Sequence, residues 1–196
     1  YMPRGLPDPN DKDYNWRVVD SITWVLEEFK GRTFCLFTSF RALNMAYDYL
    51  SRSVDFPLLM QGSMSKSLLI EKFVNTEGAV LLGTYSFWEG VDVKGSALSC
   101  VIIDKLPFES PGCPIVRARS DRLKKQGLSP FYDYQIPQAV ISLKQGLGRL
   151  LRDVDDKGVM VVCDPRLYGR AYGEVFMHSL PPVKKTRDKQ FVLEFI

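Results

Sequence analysis

The chain has 196 residues, 45% of them hydrophobic and 25% charged, with a formal net charge of +3. This length and composition are typical of a globular protein with one sizeable core, and the mild basicity permits a polyanionic partner without requiring one. No apolar run approaches the ~18 residues of a membrane span, and the N-terminal segment has no signal-peptide pattern, so we expect a cytoplasmic protein without a membrane partner.

The four cysteines are scattered along the chain, at Cys35, Cys100, Cys113 and Cys163, and the single histidine is His178. No two cysteines form a C-x-x-C pair, and this spacing argues against a zinc site. We therefore expect reduced, mostly buried thiols and no metal ion bound by this chain.

Two hydrophobic patterns alternate after an irregular, proline- and aspartate-rich lead-in or linker at residues 1–15. Short apolar runs predict strands at residues 33–38, 56–62, 78–84, 98–106 and 158–164. Helical spacing predicts helices at residues 16–29, after Ser39 as N-cap, at 65–73, within 111–127, at 138–153 and at 168–180. A polar tail follows at residues 183–196.

Strands that are continuous apolar runs separated by helices indicate an α/β fold, with a mostly parallel sheet covered by helices on both faces. Ligands of such sheets collect beyond the carboxyl ends of the strands. The residues at those ends are mostly polar: Thr38, Ser39, Gln61, Gly62, Thr84, Asp104, Lys105 and Asp164. A polar row of this kind suits a ligand with repeated phosphates, although each residue could instead cap a helix or a turn.

The predicted helix at residues 138–153 has one apolar face and one ordered polar stripe. At about 100° per residue, the stripe contains Gln138, Ser142, Gln145, Arg149 and Arg152. Gly146 and Gly148 would let a ligand or partner approach there, at a cost of roughly 1 kcal/mol each relative to alanine. The stripe is either an anion site, for phosphate, or a plain solvated face. The basic residues within 111–127 most simply form a solvated face.

Two of these segments resemble the C-terminal motor domain of superfamily 2 DNA helicases of the XPD/DinG type, in its bacterial DinG-related branch. The loop SFWEGVD resembles the family motif E-G-x-D, matched by Glu89, Gly90 and Asp92. The helix segment QGLGRLLRD resembles the motif Q-x-x-G-R-x-x-R, matched by Gln145, Gly148, Arg149 and Arg152. The resemblance implies a RecA-like three-layer sandwich, the second RecA-like domain of the helicase, at about residues 16–182.

The resemblance also implies roles for these residues. Arg149 and Arg152 would be arginine fingers, with Gln145 orienting groups at the nucleotide, because planar guanidiniums stabilise the charge that spreads over a transferred γ-phosphoryl group. Residues Glu89, Gly90, Asp92 and Gly148 would complete the ATP contacts. Contacts to single-stranded DNA would come from Thr38, Ser39, Arg41, Gln61, Gly62, Thr84, Ser86, Trp88 and Lys105. Trp88 would either stack on a base or support its own loop.

Some parts of a complete helicase are missing from the sequence. It contains neither a G-x-x-x-x-G-K-[ST] loop nor a D-E-x-H run, which hold the triphosphate and Mg²⁺. In the family these belong to an N-terminal RecA-like domain, together with the ligands of an iron–sulfur cluster that the cysteines here do not match in spacing. Because the chain also begins at Tyr1, we expect a fragment that hydrolyses almost no ATP alone.

By resemblance, the full-length protein is an ATP-dependent DNA helicase that moves 5′ to 3′ in DNA repair or replication, in the bacterial cytoplasm at the nucleoid. Its implied partners are its own N-terminal RecA-like domain, single-stranded DNA, and replication or repair proteins. The alternative is a nucleotide-independent DNA- or protein-binding module on a RecA-like scaffold, because fold alone does not determine function.

Overall fold

In the computed structural model, five parallel strands form one sheet with the order β2-β3-β1-β4-β5. The structure describes residues 1–84, 87, 93, 98–110, 112–150 and 157–196, except for the side chain of Arg149. The strands are β1 (Thr33–Phe37), β2 (Leu58–Met60), β3 (Val80–Thr84), β4 (Cys100–Ile103) and β5 (Val159–Val162).

Helices cover both faces of this sheet, as the sequence predicts. One face carries α1 (Tyr14–Glu28), α2 (Phe40–Ser53) and the short C-terminal helix α8 (Lys189–Phe195). The other face carries α3 (Lys66–Asn75), α5 (Ile136–Leu150), α6 (Arg166–Gly169) and α7 (Gly173–Ser179). Helix α4 (Pro114–Lys125) precedes a π-helical turn (Phe131–Gln135) that runs directly into α5.

Side-chain alternation along the strands divides the core between the two faces. In β1, Phe34 and Leu36 pack in the core beside α3 and α5, whereas Cys35 and Phe37 pack beside α1 and α2. All five residues of β1 are buried, because the strand lies in the middle of the sheet with helices on both sides. The run is apolar on both faces, with Thr33 as its one polar residue, instead of alternating between apolar and polar, because of this position.

Two predicted elements are shorter or divided in the structure. The strand predicted at residues 56–62 pairs only over Leu58–Met60, because Pro57 has no N–H to donate and Gly62 has a left-handed φ of +97°. The single helix predicted at 168–180 is two short helices, α6 and α7, separated at Arg170, whose backbone is extended.

The two ends of the chain pack onto the domain. The lead-in is irregular up to Asp13, yet Met2 is buried and its N–H donates to the carbonyl of Thr186 at 3.0 Å. The tail contains α8, which the sequence analysis did not anticipate, and its Val192 is buried. Residues 1–15 and 183–196 are therefore in contact with the body of the domain and with each other.

Candidate functional site

Because all five strands are parallel, their carboxyl ends lie at one edge of the sheet. We call this surface the strand-end edge and define it by the candidate residues that follow or end β1 to β4: Thr38, Ser39, Gln61, Gly62, Thr84 and Lys105. The chain leaves β1 for α2 on one face, and the segment after β4 leads to α5 on the other. The crevice between β1 and β4 is thus a topological switch point, where ligands of such sheets bind.

A buried carboxylate joins the ends of β1 and β4. Asp104 is 2% exposed and accepts hydrogen bonds from Thr38 N at 3.0 Å, from Thr38 Oγ1 at 3.2 Å and from Lys105 N at 2.6 Å. Burial raises the pKa of Asp104 to about 7, and the N–H groups of Thr38 and Lys105 limit that rise. The sequence identifies Asp104 only as a polar residue at a strand end, whereas in the structure its side chain fixes the backbone of Thr38.

Ser39 and Arg41 lie at the start of α2, beside this crevice. The extended backbone of Ser39 and its hydroxyl, which accepts from Ala42 N at 3.2 Å, form the N-cap of the helix. Thr38, Ser39 and Arg41 are all exposed. The first turn of α2 therefore presents two hydroxyls and a guanidinium to solvent at the strand-end edge.

A second pair of residues joins β2 and β3 at this edge. The side-chain oxygen of Gln61 accepts from Thr84 N at 2.6 Å and from Thr84 Oγ1 at 2.9 Å. Thr84 is buried and Gln61 is half-buried, so Gln61 is the more accessible member of the pair. The adjacent Gly62 is exposed, and its positive φ is a conformation that residues with a Cβ rarely adopt.

Lys105 is held at the edge by residues from the N-terminal segment. Its Nζ donates to the carbonyl of Pro9 at 3.3 Å and lies 4.7 Å from the ring centroid of Tyr14. The hydroxyl of Tyr14 in turn donates to the carbonyls of Asp104 at 2.7 Å and Cys163 at 3.0 Å. Tyr14 thereby ties α1 to the ends of β4 and β5, a role that sequence reasoning missed because these residues are far apart in the chain.

Asp164, the polar residue after β5, is committed to the fold. It is 1% exposed, pairs with Arg166 through Nη2 at 2.6 Å, and accepts from Leu106 N at 2.8 Å. These contacts join β5, α6 and the segment after β4. Both of these contacts are to Oδ2, and Arg166 Nε donates to Oδ1 at 2.9 Å. Both carboxylate oxygens are therefore engaged, so Asp164 stabilises the edge and is not one of its exposed groups.

The polar stripe predicted on the 138–153 helix is only partly exposed on α5. Gln145 and Gly148 are exposed, and Gln138 is half-buried. The prediction of an exposed stripe is wrong at Ser142, which is buried because α5 packs against β4, β5 and α7. Gly146, where we expected a ligand or partner to approach, is buried as well. Among the described residues, no atom lies within 4 Å of a Cβ added at Gly148.

The end of α5 lies at the opposite edge of the sheet from the DNA candidates. A Cβ at Gly158, just before β5, would come 2.6 Å from Leu150 Cδ1 and 2.9 Å from Ser99 O. Gly158 and Ser99 immediately precede β5 and β4, so Leu150 marks the amino-terminal edge of the strands. The end of α5, where Gly148 lies, is therefore separated from the strand-end edge by the length of the strands.

Several predicted site residues lie outside the described residues. They are Ser86, Trp88, Glu89, Gly90, Asp92 and Arg152, together with the side chain of Arg149. The backbone of Arg149 belongs to the last turn of α5.

Cysteines and possible metal ligands do not gather into a site within the described part of the chain. Cys35, Cys100 and Cys163 are buried free thiols, and Cys113 is half-buried. No group of three or more His, Cys, Asp or Glu side chains among the described residues is arranged to hold a metal ion. No helix among those residues is long and apolar enough to cross a membrane.

Comparison with known proteins gives a consistent result. YoaA of Haemophilus influenzae, an ATP-dependent DNA helicase, is 47% identical over 195 residues, covering 100% of this chain and 30% of that protein. DinG of Mycobacterium tuberculosis, an ATP-dependent helicase, is 38% identical over 187 residues, covering 95% of this chain and 28% of that protein. The chain thus spans less than a third of the length of these relatives.

The fold and the family agree with these likenesses. The structure of Xpd4 from S. tokodaii matches with a TM-score of 0.67 at 18% identity, over 93% of this chain and 36% of that one, and confirms the predicted RecA-like fold. The family described as helicase C-terminal domain matches residues 22–183. The chain therefore belongs to the helicase C-terminal domain family, of the XPD/DinG type.

Proposed function

We propose that this chain is the second motor domain of an ATP-dependent DNA helicase that moves 5′ to 3′ on single-stranded DNA in repair or replication. The observation that carries the proposal is the exposure of Gln145 and Gly148 on α5, with no atom of the described residues within 4 Å of a Cβ at Gly148. These residues belong to the Q-x-x-G-R-x-x-R motif, so its outer side is free to meet a neighbouring domain. The family membership and the names of the relatives support the same assignment.

The nucleotide would be held mainly outside this chain. The sequence has no Walker-type loop and no D-E-x-H run, so an N-terminal RecA-like domain of the same protein would supply the phosphate cradle and the Mg²⁺ ligands. Arg149 and Arg152 would approach the γ-phosphate from α5, with Gln145 orienting groups beside them. Glu89, Gly90 and Asp92 would contact the same nucleotide. An iron–sulfur cluster would likewise belong to the full-length protein.

The strand-end edge would bind the DNA backbone. Thr38, Ser39 and Arg41 offer exposed hydroxyls and a positive charge, and such groups contact phosphates without reading bases. Thr84 would act through its hydrogen bonds to Gln61, and Gly62 would allow close approach of the strand. Lys105 would neutralise a phosphate, while Ser86 and Trp88 would add contacts from the loop after β3.

The rigid sheet gives a physical route between the two sites. The proposed nucleotide contacts at the end of α5 and the proposed DNA contacts at the strand-end edge would act from opposite edges of the same buried strands. A closely packed layer of this kind moves as one body, since interiors pack at crystal-like density. Closing of the nucleotide cleft would therefore move the DNA contacts as a unit. The full-length protein would act in the bacterial cytoplasm, with replication or repair proteins as partners.

The test is DNA-stimulated ATP hydrolysis by the full-length protein. Arginine fingers contribute roughly 10³ to 10⁵ in rate, so Arg149→Ala and Arg152→Ala should each lose nearly all turnover and retain nucleotide-free binding to single-stranded DNA. Lys144→Ala is a matched control, because Lys144 is an exposed cation on the same helix. Near-normal turnover in both arginine variants would contradict the assignment of the arginine fingers. A wild-type protein that binds single-stranded DNA but hydrolyses no ATP would favour the nucleotide-independent binding module.

A further inference from the structure

Helix α4 has a composition that its own packing does not explain. Of its twelve residues, Val116 is the one that is buried. Helices that are polar on nearly all sides persist when they bridge to another surface or carry many internal ion pairs. Within the described part of the chain, no ion pair joins two side chains of α4. Neither burial nor internal ion pairs therefore explain the composition of α4, and its exposed surface is left as the explanation.

The charge of α4 has one dominant sign. The helix carries five cations and one carboxylate, all of them exposed: Arg117, Arg119, Arg122, Lys124, Lys125 and Asp121. Its formal charge is thus +4, whereas the whole chain carries +3, so the remainder of the chain is −1. The basic character of this protein resides in one helix, and a polyanion is the partner with the complementary charge.

Helix stability accounts for only some of these cations. Arg122, Lys124 and Lys125 lie in the last turn, where positive charge is favourable beside the carbonyl end of the helix dipole. Arg119 is engaged locally, because its Nη1 donates to the Tyr134 hydroxyl at 2.9 Å, and that hydroxyl donates to Glu109 at 2.7 Å. Arg117 lies in the first turn, which has no acidic residue, so its charge opposes the dipole.

Arg117 and Lys124 line a groove between α4 and the π-helical turn. The groove has a volume of about 610 Å³. Its other lining residues include Asp121, Ser129, Phe131 and Gln135. This volume lies within the ~300–1,000 Å³ of typical ligand clefts. The groove offers positive charge on one side and an aromatic ring on another, a combination that single-stranded nucleic acids use through their phosphates and bases.

Phe131 in the wall of this groove contacts an aromatic residue of the segment that follows β4. Phe131 stacks on Phe108 with ring centroids 5.7 Å apart, and Phe108 follows Lys105 by three residues. The guanidinium of Arg166 also lies over the ring of Phe108, 5.3 Å from its centroid. A ring contact thus links the segment after β4 to the groove beside α4.

We infer that α4 and this groove form a second binding site for single-stranded DNA, which takes the strand after it passes the ends of β1 and β4. Arg117 and Lys124 bind its phosphates, and Phe131 faces a base. The inference rests on the proposed function, because it extends the same DNA path. It assigns the basic helix to DNA binding, where the sequence alone most simply indicates a solvated face.

The test is equilibrium binding of the full-length protein to fluorescent oligothymidylate, without nucleotide, over a series of salt concentrations. The double variant Arg117→Gln/Lys124→Gln should reduce the slope of log affinity against log salt by about 1.4, since each single-strand phosphate contact contributes about 0.7. Its affinity should fall roughly tenfold at ~0.1 M salt. Asp121→Asn should instead raise the affinity, a gain that misfolding cannot produce.

The control is Arg52→Gln/Lys72→Gln, which removes two exposed cations from the last turns of α2 and α3, at the other edge of the sheet. It should bind as the wild type does. A wild-type slope in the α4 double variant would overturn this inference alone. If the thermal midpoint of that variant were also lowered, the result would indicate that α4 packs on another domain. A wild-type protein that fails to bind the oligonucleotide would overturn the proposed function as well.

Discussion

The carboxylate of Asp104 accepts two hydrogen bonds from Thr38, from its N–H at 3.0 Å and from its hydroxyl at 3.2 Å, across the crevice between β4 and β1. Asp104 is nearly inaccessible, whereas Thr38 is exposed. The buried group therefore sets the position of an exposed one at the strand-end edge. A change at Asp104 will act on Thr38 without touching any ligand.

The protonation of Asp104 makes stability depend on pH. Burial raises its pKa from 3.8 to about 7, so between these values the folded protein retains a proton that the unfolded chain releases. The free energy of unfolding should therefore fall as pH rises through this window, by up to about 1.4 kcal/mol per pH unit. Asp104→Asn should remove this component, and thermal midpoints of both proteins from pH 5 to pH 8 measure it. A constant difference across that range would contradict the assignment.

Ser39 allows capping and DNA binding to be separated. Ser39→Asp keeps a good N-cap and adds a negative charge at the helix N-terminus, so the free energy of unfolding should stay within about 0.5 kcal/mol of wild type. The same charge repels phosphate, and we expect affinity for oligothymidylate to fall roughly tenfold. Ser39→Asn is the neutral control, because it also caps well. Equal DNA binding by the Asp and Asn variants would remove Ser39 from the DNA path.

Gln61 supplies an acceptor to the buried backbone of β3. Gln61→Ala removes the oxygen that accepts from Thr84 N and Thr84 Oγ1, and we expect a loss of about 1–3 kcal/mol in the free energy of unfolding. Gln61→Glu keeps an acceptor at the same place and should be the more stable variant. Chemical denaturation of the two variants measures the difference. Equal losses would mean that this acceptor is not what stabilises the end of β3.

Two glycines with nearly the same positive φ should differ in how strongly substitution by alanine destabilises the protein. Gly31 (φ +74°) approaches Gly78 so closely that a Cβ would lie 1.8 Å from its carbonyl oxygen, whereas Gly127 (φ +76°) has open space around it. Gly31→Ala should cost at least about 3 kcal/mol, through strain and overlap together. Gly127→Ala should cost only about 1 kcal/mol, from φ alone. Thermal unfolding compares them directly, and similar shifts would contradict the role of the Gly78 contact.

Local signals in the sequence predict most of the fold. The apolar runs identify all five strands, and Ser39 and Ser65 occupy the N-caps of α2 and α3, with side chains that accept from the N–H three residues later. Helix α8 has only seven residues, which is too few for hydrophobic periodicity to distinguish a helix from an irregular polar tail. Ser142 escapes prediction for a different reason: its burial depends on elements packed on two sides of α5.

The candidate sites are less predictable than the fold. Strand order places Thr38, Gln61 and Lys105 along one edge, as expected for the ends of parallel strands. What each side chain does there depends on partners distant in sequence: Asp104 for Thr38, and Pro9 with Tyr14 for Lys105. The position of the end of α5, at the edge of the sheet opposite the strand-end edge, also follows only from the assembled sheet.

The packing of Tyr1 on β5 protects the edge of the sheet from pairing with another chain. The carbonyl of Tyr1 accepts from Val162 N at 2.9 Å, and Tyr1 N donates to the carbonyl of Met160 at 2.6 Å. These bonds use backbone groups on the outer side of an edge strand that would otherwise offer a template to another chain. A recombinant form trimmed of its first residues would expose those groups, and self-association through β5 is the hazard that this short stretch of chain prevents.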